Sequence, residues 1–142
     1  MVPFWLALAH ADPLPVRALP TVEVETVVAS WYGDELRGRL TAAGLPFDPD
    51  ARTAAHRTLP FGTVLRVENP ANERAVRVVV IDRGPFVEGR DLDLSRAAAD
   101  RLGITDRGVA EVTIEVEREG QPRQRWPFLR PEDAVAPALA AR

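Results

Sequence analysis

Asp82 stands where a general acid could work. It follows the apolar run Ala75-Val76-Arg77-Val78-Val79-Val80-Ile81 directly, and Arg83-Gly84-Pro85-Phe86 comes next as a turn or breaker. Apolar walls and solvent meet at such a lip, an environment in which a carboxylic acid can hold a proton and give it up. Taken alone, the residue reads first as a turn cap or as an ion-pair partner of Arg83 or Arg90. Other chemistry-bearing side chains surround it in sequence. His56 and Arg57 lie in the run Thr53-Ala54-Ala55-His56-Arg57-Thr58-Leu59-Pro60-Phe61-Gly62-Thr63, and Trp31 and Tyr32 in Ser30-Trp31-Tyr32-Gly33. Aromatic faces suit the apolar face of a pyranose ring. One of the two aromatics is expected to pack internally and the other to meet a ligand, and residue type leaves open which.

Composition removes several kinds of chemistry. The chain has no cysteine, so a thiol nucleophile, a disulfide framework and a cysteine metal site are all excluded. Two histidines, His10 and His56, are too few for a zinc site without carboxylate help, and no metal or cofactor is expected. A net charge of −3 makes no electrostatic case for nucleic acid. All 18 basic residues are arginine. The length of 142 residues suits one domain with a core of its own.

The elements that must position these residues are mostly strands. In Ala75 to Ile81, Val76, Val78 and Val80 point one way, and Arg77, Val79 and Ile81 the other; both faces are largely β-branched, so the strand is central and buried. Val22 to Ser30 alternates, with Val22, Val24, Thr26 and Val28 on one face and Glu23 and Glu25 on the other, which predicts a half-buried first strand. Val64 to Glu68 is another, joined to the central strand through Asn69-Pro70-Ala71-Asn72-Glu73. In Val109 to Glu117, Ala110, Val112, Ile114 and Val116 face in and the glutamates face solvent. Asp34 to Arg52 has glycines, prolines and no period, and reads as a long structured loop. Ser95 caps a short helix to about Leu102, which Gly103 ends.

These runs, with Gly38-Arg39-Leu40-Thr41-Ala42, Gly89-Arg90 and Asp93-Leu94-Ser95, occur in an order that closely resembles the rare lipoprotein A (RlpA) family of septal-type lytic transglycosylases. The resemblance covers about Val24 to Glu117. It implies a mainly β fold: a six-stranded double-psi β-barrel, barwin- or expansin-like, with one or two short helices. It implies cleavage of peptidoglycan glycan strands between N-acetylmuramic acid and N-acetylglucosamine, leaving a 1,6-anhydro end. The family's conserved aspartate falls on Asp82 and its histidine on His56, which makes these two the expected catalytic residues. Trp31, Tyr32, Arg57, Arg83 and Arg90 are the expected substrate contacts, with the arginines able to meet muramic acid carboxylates or to brace loops. Thr41-Ala42-Ala43-Gly44-Leu45 departs from the family's T-A-x-G-E pattern: Leu45 replaces the glutamate.

The chemistry tolerates a single acid. Most glycosidases need two carboxyl groups. A lytic transglycosylase uses the substrate's own C6 hydroxyl as nucleophile, and that attack is intramolecular and positioned in advance. The alternative expectation is a catalytically weak or inactive expansin-like peptidoglycan-binding module, for which Leu45 speaks. In organisation, residues 1–11 read as the remnant of a secretory signal (the apolar run Val2 to Ala9, then Ala9-His10-Ala11), 12–21 as a linker, 22–117 as the barrel and 118–142 as a Pro/Ala/Arg-rich tail in which Trp126 to Leu129 could dock on the barrel. A secreted monomer in the periplasm or cell envelope is expected, with no integral membrane segment and no lipid anchor, since the anchor needs a cysteine.

Overall fold

A computed structural model describes residues 21–120. Within them six strands close a barrel in the order β1-β5-β2-β4-β3-β6. The strands are β1 (Val24–Tyr32), β2 (Thr53–His56), β3 (Val64–Asn69), β4 (Arg74–Asp82), β5 (Leu92–Ser95) and β6 (Ala110–Arg118). One helix, α1 (Arg96–Leu102), and a single 3₁₀ turn at Asp34–Leu36 complete the elements. Two pairs are parallel, β1 with β5 and β2 with β4, and the rest are antiparallel. This is the expected six-stranded double-psi barrel. The expected signal remnant, most of the linker, and the tail from Gln121 with its Trp126 to Leu129 segment lie outside the described residues.

The barrel interior is a β-branched and leucine core. Val76, Val78 and Val80 of β4 meet Leu65 and Val67 of β3, Leu92 and Leu94 of β5, and Val112 and Ile114 of β6, all buried. A second, smaller cluster forms on the other face of β4, where Val79 and Ile81 pack against Ala43, with Leu45, Phe61 and Val64 at its edge. Both faces of β4 are therefore used, as its two apolar rows require. Arg77, the break in the outer row, stays on the surface and pairs with Glu117.

Three expectations are revised. β1 begins at Val24, and the residues it sends into the core are Val27 and Ala29, while Val22 and Val24 are exposed. The alternation of charged residues at the start of the run therefore points to the wrong face; the inward face is selected where β1 passes from β6, its partner over Val24 to Ala29, to β5, its partner over Ala29 to Tyr32. Val116, expected inside, is exposed because β6 outruns the core near its end. β2 and β5 were not anticipated as strands. Each has four residues, too few for a period, and they read instead as a motif and as the approach to a helix.

The helix matches expectation at both ends. Ser95 Oγ accepts from Ala98 N, and Gly103 ends α1 in the left-handed region at φ 72°. Ser95 also accepts from Thr53 N and donates to Ala51 O, and it is fully buried. One hydroxyl thus ties α1 to β2 and to the loop before it. Ser95→Ala strands three backbone groups, and urea denaturation should show a loss of about 2–3 kcal/mol.

Candidate active site

Asp82 ends β4 beside a break in register. β2 pairs with β4 as Ala54 with Val80 and then Ala55 with Asp82, so Ile81 is skipped. Strict alternation would send Asp82 into the barrel behind Val76, Val78 and Val80. A register break of this kind re-aims a side chain, and the carboxylate here reaches the long loop instead. Its Oδ1 accepts from Ala42 N at 2.9 Å and from Arg83 N at 2.8 Å. The neighbouring Ala43 N donates to Ile81 O at 3.0 Å, which fastens the same loop to β4. Oδ2 accepts no hydrogen bond among the described residues, and the residue is partly exposed.

The loop itself is held from outside. Thr41 N and Oγ1 both donate to Leu45 O, and Gly44 turns the chain at φ 79°. Arg96 of α1 pairs with Asp34 and Asp50, and Arg37 with Asp34, Asp48 and Asp50. The Leu45 side chain lies against the small cluster of Ala43, Val79 and Ile81.

A second carboxylate, which the sequence reading did not single out, lies two strands away. Asp93 is buried and accepts from the hydroxyl of Ser30, its partner across β1 and β5. Ala55 of β2 is paired with Asp93 on one side and with Asp82 on the other. The two acids thus stand about 10 Å apart at the backbone, two strand spacings, with Ala55 on the strand between them. Tyr32 faces both. Burial, then the charge of Asp93, then that of Asp82 push the phenol far above its ordinary pKa, so it stays a proton donor. The signal for Asp93 was an acid inside the apolar pair Leu92 and Leu94, a buried-polar position within a strand too short to recognise.

The two aromatics separate. Trp31 packs on the barrel core and donates from Nε1 to Thr105 O at 3.2 Å. Tyr32 meets Phe47 edge to face, with ring centroids 5.5 Å apart.

The three arginines separate as well. Arg57 donates to Pro85 O and Arg90 O and pairs with Asp91 at 3.0 Å, bracing the loop after Asp82. Arg83 donates to His56 O and Leu59 O, and its guanidinium stacks 3.9 Å above the Phe61 ring. Arg90 acts on the Tyr32 phenol electrostatically, and its buried Nε has no hydrogen-bond partner among the described residues.

His56 is fixed by backbone. Its Nδ1 accepts from Thr58 N at 3.1 Å and Leu59 N at 3.0 Å, so the neutral ring carries its proton on Nε2. Burial first, and the Arg57 charge second, pull the imidazole below its ordinary pKa. The ring lines a groove of about 1380 Å³ together with Glu25, Arg57, Leu59 and Asp91. Asp82, Tyr32 and Arg90 do not line that groove, so its depth does not mark the acid.

The lowered imidazole pKa has a sign that can be measured. The folded protein binds fewer protons at His56 than the unfolded chain once pH falls below about 6.5. Stability should therefore be unaffected by this group above that pH and fall as pH drops through the window below it. His56→Ala should flatten the dependence of stability on pH between 7 and 5 and, by stranding two N–H groups, cost about 1–2 kcal/mol at pH 7.5. Denaturant midpoints at both pH values for both proteins test this. Asp91, held below the usual carboxylate range by the Val28 N–H and then by Arg57, titrates lower and does not blur the window.

Comparison with known proteins agrees with the barrel. A family model described as lytic transglycolase matches residues 24–114. The endolytic peptidoglycan transglycosylase RlpA of Yersinia pestis is 57% identical over 79 residues, covering 56% of this chain and 22% of that protein. Its counterpart from Neisseria meningitidis serogroup A is 47% identical over 97 residues, covering 68% of this chain and 41% of that protein. The chain spans less than half the length of the curated relatives it matches. Among solved structures, the Streptomyces papain inhibitor superposes with a TM-score of 0.56 at 28% identity, over 69% of this chain and 98% of that one. A shared barrel with an inhibitor of that name shows that the fold does not carry the activity. The family match, the relatives and the closed barrel agree: the chain belongs to the lytic transglycolase family and contains an RlpA-type double-psi β-barrel domain.

Proposed function

We propose that this barrel cleaves peptidoglycan glycan strands at the cell envelope as a lytic transglycosylase, between N-acetylmuramic acid and N-acetylglucosamine. The observation that carries the reading is Asp82, whose Oδ1 is anchored by two backbone N–H groups while Oδ2 is left unbonded. Anchoring by N–H groups fixes where the free oxygen points, and pre-positioning of this kind is where much of the rate of an intramolecular displacement comes from. Asp82 protonates the glycosidic oxygen as the bond from C1 to that oxygen breaks. It then accepts the proton of the C6 hydroxyl as that oxygen bonds to C1, which closes the 1,6-anhydro ring and restores the acid. Tyr32, a half-buried phenol that stays protonated, donates a hydrogen bond to the sugar, and Arg90, whose charge already acts on that phenol, meets a carboxylate of muramic acid. Arg57 and Arg83 hold loops, and Trp31 holds the barrel. His56 contributes through Nε2–H, since Nδ1 is occupied, and so acts as a donor rather than a base.

Leu45 makes turnover slow. It cannot stabilise positive charge developing at C1, which the family's glutamate at this position can. The test is incubation of the purified protein with sacculi stripped of stem peptides, followed by mass spectrometry of the soluble products. Slow release of fragments with 1,6-anhydro ends is expected. Co-sedimentation with sacculi and no soluble product would replace the enzyme with a binding module.

A further inference from the structure

The Oδ1 atom of Asp82 ties two loops together, because the N–H groups of Ala42 and Arg83 converge on it. Each loop carries a large apolar side chain in water close to that knot. Leu40, two residues before Ala42, is 76% exposed, and Phe86, three residues after Arg83, is 81% exposed. Short chain segments reach at most about 3.5 Å per residue, so both Cα atoms lie within about 7–11 Å of the residues that hold the carboxylate. A lone exposed apolar side chain is ordinary on a protein surface; what singles out Phe86 is its place on the loop whose Arg83 N holds the Asp82 carboxylate. Phe86 is braced: Arg57 donates to the carbonyls on either side of it, at Pro85 and Arg90. Its ring edge lies over Gly84, where a Cβ would come within 3.6 Å of it, and Gly84 has φ +124°. The ring is thus seated on backbone, with most of its surface open to solvent.

We propose that Phe86 is a sugar-stacking subsite of the Asp82 site, with Leu40 as the matching apolar contact on the other side of the acid. The occupant is the glycan strand, whose pyranose rings present apolar C–H faces alternating with hydroxyl edges. A flat ring held rigidly beside the acid takes one such face, and the branched side chain of Leu40 takes another across the scissile bond. The proposal rests on the glycan-cleavage reading and adds where the strand lies: along the line from the Leu40 loop over Asp82 to the Phe86 loop.

The test uses the full chain and peptide-free sacculi. Binding is measured by co-sedimentation for Asp82→Asn alone and combined with Phe86→Ala, Phe86→Tyr or Leu40→Ser; product release is measured for the same changes with Asp82 intact. Phe86→Ala should weaken binding about tenfold, the loss of part of one aromatic side chain's burial, and should raise KM with kcat little changed. Phe86→Tyr should restore both, and thermal stability should not move, because the ring is exposed. Cleavage by the parent with undiminished binding in the Phe86→Ala protein overturns the subsite and leaves the cleavage reading standing. Absence of cleavage with binding that still depends on Phe86 supports the subsite and overturns the cleavage reading. If the Asp82→Asn protein itself binds no glycan, the subsite is overturned.

Discussion

Asp82→Asn should abolish release of anhydro-ended fragments, a loss of at least a hundredfold, while glycan binding and folding persist. The asparagine Oδ1 keeps both backbone donors, Ala42 N and Arg83 N, so the two loops stay joined. The new Nδ2 replaces an oxygen that accepts no hydrogen bond among the described residues. What disappears is a transferable proton, while the two backbone hydrogen bonds to Oδ1 remain, so the thermal transition should move little. Release of soluble glycan at the parental rate would remove Asp82 from the chemistry. A collapse of the thermal transition would show instead that its main task is to hold the loops.

Leu45→Glu should raise the rate of release about a hundredfold, the size of one transition-state contact. The position suits the change. The turn from Thr41 to Leu45 is fixed by three hydrogen bonds between those two residues, and the same turn delivers Ala42 N to Asp82. Leu45 is only partly buried at the edge of the Ala43, Val79 and Ile81 cluster, so a glutamate keeps its stem on that surface and turns its carboxylate to water or to a sugar. Product release by the parent, Leu45→Glu and Leu45→Glu/Asp82→Asn proteins on the same sacculi decides the matter. Gain in the single variant and loss in the double variant show a site that lacks one group. Equal inactivity of parent and Leu45→Glu, with binding in both, would mean that the barrel holds glycan without cutting it.

What the sequence determined by itself was local. β4 was legible because nine residues with two apolar rows leave only one place for them, between two hydrophobic layers. Ser95 and Gly103 were legible because capping depends on neighbours within one turn. The lip position of Asp82 was legible for the same reason, since Ile81 and Gly84-Pro85 adjoin it. The tertiary structure decided whatever depends on partners distant in the chain. β2 and β5 are strands because parallel pairing with β4 and β1 makes them so, and four residues carry no period of their own. The inward face of β1 is chosen by its neighbours, against the pattern of its first residues. Asp93 joins the site only through the register that sets Ala55 between the two acids. The three arginines are alike in sequence and differ only in what the fold offers them: Arg57 and Arg83 meet backbone carbonyls, and the Nε of Arg90 meets none among the described residues. A side chain's chemistry is written in its type, but its availability is set by which unsatisfied groups the folded chain brings within about 3 Å of it.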